Sequence, residues 1–299
     1  MVAVGVLVVG VVTPAFAAKP AHGGGGSSGG SGGGSTTTGY DVSYPQCGTT
    51  LPSSAAFAIV GVNGGLANDL NPCLGPTTSY PSYTQSELYW AAAATSGSST
   101  SKVALYVNTA DPGNEVNGQL IADWPQSGGT SSVGTCTTTT VTINNVDQTV
   151  GENSVGCAWQ YGYNKAAQDA VSLTSAATTI NTDASQTVVS SAPANYQWWL
   201  DVETGNTWQT NTAMNVADLQ GMIAGFGAAG VGVYSTSTQW NSITGGTTSS
   251  SGSLVGIPNW IPGARTQKQA ASNCSLASFT GGTVQMTQWT GNPDNDMAC

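Results

Sequence analysis

The chain has 299 residues, and only 7% of them are charged, against about 25% in an ordinary soluble domain. Five Lys and Arg against fifteen Asp and Glu give a net charge of −10, which excludes a nucleic-acid partner and gives no attraction to anionic lipid. The length suffices for one large domain with a full core.

In chain order, the first element is the apolar run MVAVGVLVVGVVTPAFA, which ends in the small-x-small triplet Ala15-Phe16-Ala17. Residues 1–17 read as a secretory leader, too short to span a bilayer and followed by no stop-transfer sequence. No Lys or Arg precedes the run, so the natural start is expected a few residues earlier. Residues 18–38 contain HGGGGSSGGSGGGSTTT. They hold too little apolar surface to offset the entropy of ordering, and read as a flexible tether reaching roughly 20 Å. The folded domain is expected over residues 39–299, outside the cell or against a cell wall, as a monomer with no membrane span.

Seven runs bounded by Gly, Pro, Asn or Ser read as strands: GYDVSY (39–44), AFAIVGV (56–62), KVALYVN (102–108), YQWWLDVE (196–203), GVGVYS (230–235), LVGIPNWI (254–261) and TVQMTQWT (283–290). Most are apolar on both faces, as in a parallel sheet covered on both sides. Helices are expected over 86–94, with Ser86 as cap, and over 163–180. A third follows from Val216, Leu219, Ile223 and Phe226 at helical spacing, with Gly230 as its stop. Strand and helix alternate, which is the α/β signature. Residues 130–157 break that rhythm, and TCTTTTVTIN with the stretch ending at Cys157 predicts a hairpin, within an insertion over about 109–160. Seven strands fall one short of a closed barrel. An irregular, TIM-like β/α barrel is the first expectation, and an open doubly wound sheet the second. GVNGG after the second strand is a plain strand-to-helix turn, since it matches neither phosphate-loop pattern.

Six cysteines behind a leader predict three disulfides. Cys47, Cys73, Cys136, Cys157, Cys274 and Cys299 allow 15 pairings in principle, and pairing of chain neighbours is the expectation. A zinc site is disfavoured because there is no C-x-x-C, and no metal or other cofactor is expected. The single histidine, His22, lies in the tether. Ser-His-Asp, Cys-His and His-ligated zinc chemistry are thereby removed from the domain, and any acid–base work falls to carboxylates.

Trp198-Trp199-Leu200-Asp201-Val202-Glu203 is the sharpest such feature. Residues two apart on a strand share a face, so Asp201 and Glu203 point the same way, with Cβ atoms about 6–7 Å apart. At the C-terminal end of a barrel strand, that is where catalytic groups sit. Carboxylates there can also serve only to bind backbone amides. Asp41, on the first strand, could converge on the same mouth. Asp294 and Asp296, after the last predicted strand, are further candidates for substrate contact.

The succession GYDVSYPQ, AFAIVGVNGG, ALYVN, WLDVE, VGVYS, PNWIPG and MTQWTG resembles the strands of glycoside hydrolase family 25, the muramidase-type lysozymes with an irregular β/α barrel. It is equally similar to a related group of secreted actinobacterial glycoside-hydrolase-like domains. The resemblance covers nearly all of 39–296 apart from the insertion. It implies that Glu203 is the general acid, that Asp201 orients the substrate's acetamido group or stabilises developing positive charge, and that Asp41 supports them. Peptidoglycan or a chitin-like glycan would be the partner. Trp199, Trp260 and Trp289 are expected to stack on sugar faces, and Tyr106 and Asn108 to contact substrate. The family's Y-H-F run on the third strand is here Tyr106-Val107-Asn108. A sugar-binding descendant without activity therefore stands as the alternative, with a protein-interaction domain third.

Overall fold

The computed structural model describes residues 38–64, 69–95, 102–117, 119–143, 146–227, 229–246 and 252–299. The predicted leader and all of the tether except Thr38 lie outside these residues.

Eight strands close a barrel: β1 (Thr38–Val42), β2 (Ala58–Gly61), β3 (Val103–Asn108), β10 (Gln197–Asp201), β11 (Gly230–Tyr234), β12 (Asn259–Ala264), β13 (Val284–Trp289) and β14 (Asp294–Ala298). Three short hairpins, described below, supply β4–β9. The first seven barrel strands run parallel in the order β1-β2-β3-β10-β11-β12-β13. The eighth, β14, runs antiparallel to both of its neighbours and closes the gap between β13 and β1. Its sequence, DNDMA, shows no apolar alternation, which is why seven strands and not eight were read. The open-sheet alternative is overturned by this closure. The strand expected over 254–261 begins with a short 3-10 turn, and its pairing starts only at Asn259.

Each strand divides its side chains between two layers. On β10, Trp198 and Leu200, followed by Val202, face outward into the apolar layer beneath the helices, and Trp199 faces inward. The outward Trp198 stacks on Phe226 with ring centroids 4.1 Å apart. Inside, Ile59, Tyr106, Trp199, Tyr234, Trp260 and Met286 fill the barrel. This interior is a packed core, with Tyr234 and Trp260 edge to face at 4.5 Å.

Helices cover the outside: α1 (Glu87–Ala94), α2 (Val155–Asp183), α3 (Thr212–Phe226), α4 (Ser237–Thr244) and α5 (Gln267–Asn273). The α2 helix starts eight residues before the predicted segment, at the Ser154 side-chain cap. Gly227, with φ of 66°, ends α3, whereas Gly230 is the first residue of β11. Two short helices, α4 and α5, carry too few apolar residues to reveal them: α4 buries only Trp240 and Ile243 of these, and α5 only Ala270. Thr236 and Thr266 start them by accepting from the Gln239 and Gln269 amides.

The α2 and α3 backbones nearly touch. A Cβ at Gly162 would lie 2.0 Å from the Asp218 carbonyl oxygen, and one at Gly221 would lie 2.0 Å from that of Trp159. Both obstacles are main chain inside a helix and cannot swing aside. Gly221→Ala is therefore expected to destabilise the fold by about 1–3 kcal/mol or more through overpacking, read as a lower denaturant midpoint. An unchanged midpoint would refute the close contact.

The insertion is three hairpins: β4 (Glu115–Val116) with β5 (Gln119–Leu120), β6 (Gly129–Ser131) with β7 (Gly134–Cys136), and β8 (Thr138–Ile143) with β9 (Val146–Gly151). They build a satellite core around Trp124, which stacks on Tyr161 of α2 at 5.3 Å. All six cysteines are paired, as chain neighbours: Cys47–Cys73, Cys136–Cys157 and Cys274–Cys299. The second ties β7 to α2 and the third ties the end of α5 to residue 299. Intact mass should rise by six hydrogens on reduction. Labelling of the unfolded, unreduced protein by a thiol reagent would contradict the pairing. Each bridge is expected to stabilise by about 2–4 kcal/mol.

Candidate functional site

The mouth of the barrel is organised by the end of β10, where the main chain is pinned on both sides. Val202 donates to the Tyr234 carbonyl at 2.9 Å and accepts from the Ser235 hydroxyl at 2.6 Å. The Asp201 carbonyl accepts from the Thr109 hydroxyl. The Glu203 carbonyl accepts from the Trp208 indole at 2.8 Å and from the Asn206 amide at 3.1 Å. With Val202 buried outward, Asp201 and Glu203 flank it on the mouth side.

Asp201 is buried, and its Oδ2 accepts from the Tyr106 hydroxyl of β3. Glu203 is half-buried, and its Oε1 lies 3.5 Å from Gln239 Nε2 on α4. Asp41 is buried on β1, and its Oδ2 accepts from Gln288 Nε2 at 2.8 Å. The same glutamine accepts from the Tyr234 hydroxyl at 2.9 Å. Asp41 and Asp201 are thus each held by a neutral donor, and two tyrosines link the two sides of the barrel.

These tyrosines report how the charges converge. Burial raises the Tyr234 pKa well above its ordinary value, and the charges of Glu203, Asp201, Asp41 and Asp294 raise it further. Burial likewise raises Tyr106, followed by Asp201, Tyr234 and Glu203. Both hydroxyls remain donors throughout the ordinary pH range. Asp201 and Glu203 thus act on both hydroxyls, and Asp41 acts on that of Tyr234.

Asp294 and Asp296 lie on β14, in register with Asp41 and Gly39 of β1. The half-buried Asp294 accepts from the Gly291 amide at 3.0 Å. Asp296 is fully buried, and burial pushes its pKa well above the carboxylate range, followed by the adjacent Asp41 charge and its hydrogen bond. Asp296 is accordingly held against ionisation beside Asp41 inside the barrel.

Several expected substrate contacts take other positions. Trp199 and Trp260 are 3% and 0% exposed and pack edge to face in the barrel core, so neither offers a ring face to a sugar. Trp289 at the end of β13 is half-buried and retains open surface. Tyr106 is buried against Asp201. Asn108 is buried too, and its main chain pairs with the Asn63 side chain through bonds of 2.8 and 2.9 Å. Asn63, Gln239, Tyr234 and Gln288 were not singled out from sequence. Alternation could have found the last, since Met286 and Gln288 share the inward face of β13. Among the described residues, no group of three or more His, Cys, Asp or Glu side chains could hold a metal ion. A separate cleft of about 540 Å³ between α4 and α5 has no titratable residue in its lining.

Comparisons with known proteins bear on this site. The family model described as Lysozyme-like protein 1 matches residues 170–260, a stretch that includes β10, Asp201 and Glu203. A protein from Dictyostelium discoideum named "Probable GH family 25 lysozyme 4" is 39% identical over 70 residues, which are 22% of this chain and 32% of that protein. The chain thus spans about a third of the length of that curated relative. No solved structure matches the chain. The two sequence matches agree with the strand motifs: this part of the chain is similar to a lysozyme-like family model and to a protein named as a glycoside hydrolase family 25 lysozyme.

Proposed function

We propose that this protein is a glycoside hydrolase acting on peptidoglycan or a related amino-sugar polymer, with Glu203 as general acid. The observation that carries the reading is the hydrogen-bonded set of Tyr106 with Asp201 and of Tyr234 with Gln288 and Asp41, beside the half-buried Glu203, in a domain without histidine. Glycoside cleavage needs one carboxyl that gives a proton and another that stays ionised, in different surroundings. Glu203, half-open to solvent, can reach a glycosidic oxygen. Asp201, fixed by Tyr106, meets the acetamido group or the positive charge that develops at the sugar ring. Asp41 adds negative potential from the opposite wall. Trp289 is the remaining candidate for stacking on a sugar.

In this reading residues 39–299 form one irregular, TIM-like barrel domain behind a leader and tether, working as a monomer outside the cell or at its wall. Release of reducing ends from purified peptidoglycan, followed by identification of the muropeptides, tests it. A second reading rests on the third strand, where Tyr106-Val107-Asn108 lacks the family's histidine: a domain that binds glycan without cleaving it. Binding to peptidoglycan or chitin oligomers with no product formed would favour that reading, and failure to bind either would leave a protein-interaction role.

A further inference from the structure

We propose that Gln239 is a positioning residue that decides which oxygen of Glu203 carries the proton, an inference that rests on the assignment of Glu203 as the acid. Gln239 Oε1 accepts from the Thr204 amide at 2.7 Å and from the Thr204 hydroxyl at 3.2 Å. A backbone N–H can only donate, so the oxygen of this carboxamide must face Thr204, and its orientation follows from the bonding. Nε2 is thereby turned toward Glu203, where it stands 3.5 Å from Oε1. That nitrogen can only donate. The oxygen it faces must act as acceptor, so in the protonated acid Oε1 is the carbonyl oxygen and Oε2 bears the hydrogen.

The device is rigid where it needs to be. Gln239 sits in the first turn of α4, and its own amide donates to the Thr236 cap at 3.2 Å. Next to that cap, the Ser235 hydroxyl holds Val202, the residue between the two carboxylates. The side chain that directs Glu203 and the strand that carries it are thus fastened to the same corner. A long hydrogen bond in the free enzyme can shorten when substrate closes the site.

Gln239→Glu separates this role from simple support. The new carboxylate can still accept from Thr204, but toward Glu203 it presents an acceptor and a like charge in place of a donor. We expect kcat to fall about tenfold, the size of one lost hydrogen bond, with KM and Tm close to the parent's. Gln239→Ala should lower kcat by a similar factor and also lower Tm. Parental kcat in Gln239→Glu overturns the inference. Loss of turnover in Glu203→Gln, with Gln239→Glu unaffected, would spare the acid assignment and sink only the positioning role.

A readout independent of turnover covers a parent that cleaves nothing. The chain has four glutamates, so the side-chain carboxyl of Glu203 can be followed by ¹³C NMR and assigned through Glu203→Gln. Removing the Gln239 donor should move the Glu203 carboxyl resonance in Gln239→Ala relative to the parent at the same pH. Superimposable spectra would overturn the proposal.

Discussion

Glu203→Gln is expected to lower turnover on peptidoglycan about 10²–10⁴-fold, the usual contribution of general acid catalysis, while glycan affinity and Tm stay near the parent's. The substitution keeps the size of the side chain and an oxygen that accepts from Gln239, so it removes the transferable proton and little else. Asp201→Asn should cost less, because its carbonyl oxygen can still accept from the Tyr106 hydroxyl that holds Asp201. Rate and melting temperature have to be measured together. A drop in both would indicate a structural carboxylate, and normal turnover in Glu203→Gln would remove the assignment altogether.

Stability should fall from about pH 4 toward neutrality. Away from the mouth, burial raises Glu87 from 4.5 to about 7, against hydrogen bonds from Asn71 and Gln46 that oppose it. On α2, Asp169 rises from 3.8 to about 7 by burial, which outweighs the attraction of Lys165. Asp111 rises from 3.8 to about 6, also by burial. Below their unfolded values these groups are neutral in both states and cost nothing. Between the unfolded and the raised value, the unfolded chain has released protons that the fold still holds. Each group then takes about 1.4 kcal/mol of stability per pH unit, and the loss levels off above the raised value. From pH 4.5 to 7 the three losses together should lower Tm by on the order of 20 °C or more for a domain of this size. Asp169→Asn should raise Tm at pH 7 and leave it nearly unchanged at pH 4.5. A Tm that is flat or rises over that interval would show that these carboxyls ionise within the fold.

The sequence made the front of the site legible and hid its support. Asp201 and Glu203 could be read because strand alternation is local: a polar residue on every second position of an apolar strand has only one face to occupy. The neighbour pairing of the cysteines was likewise within reach. Trp199 and Trp260 were misplaced because alternation assigns a face without saying whether that face is a cleft or a packed interior. Inside this barrel it is packed. The β14 strand escaped notice because its register is imposed by β1 and β13, not by apolar residues of its own. The short helices α4 and α5 depend on threonine caps and on the strands beneath them, and carry too few apolar residues to announce them. Gln239 went unnoticed for the same reason.

The antiparallel eighth strand has a consequence for how the molecule forms. Asp41 is among the first residues of the barrel, yet its partner Gln288 lies 247 residues further along, and β1 has no second neighbour until β14 arrives. Such distant pairing is slow, because the entropy of closing the loop is spent before the contact exists to repay it. Until residues 294–298 dock, β1 and β13 each present an open edge, which invites pairing with other chains. A nascent chain can therefore carry a complete Asp201–Glu203 pair while Asp41 still waits for its glutamine. A product cut short before residue 294 would leave β1 and β13 without the strand that joins them, with their edges exposed.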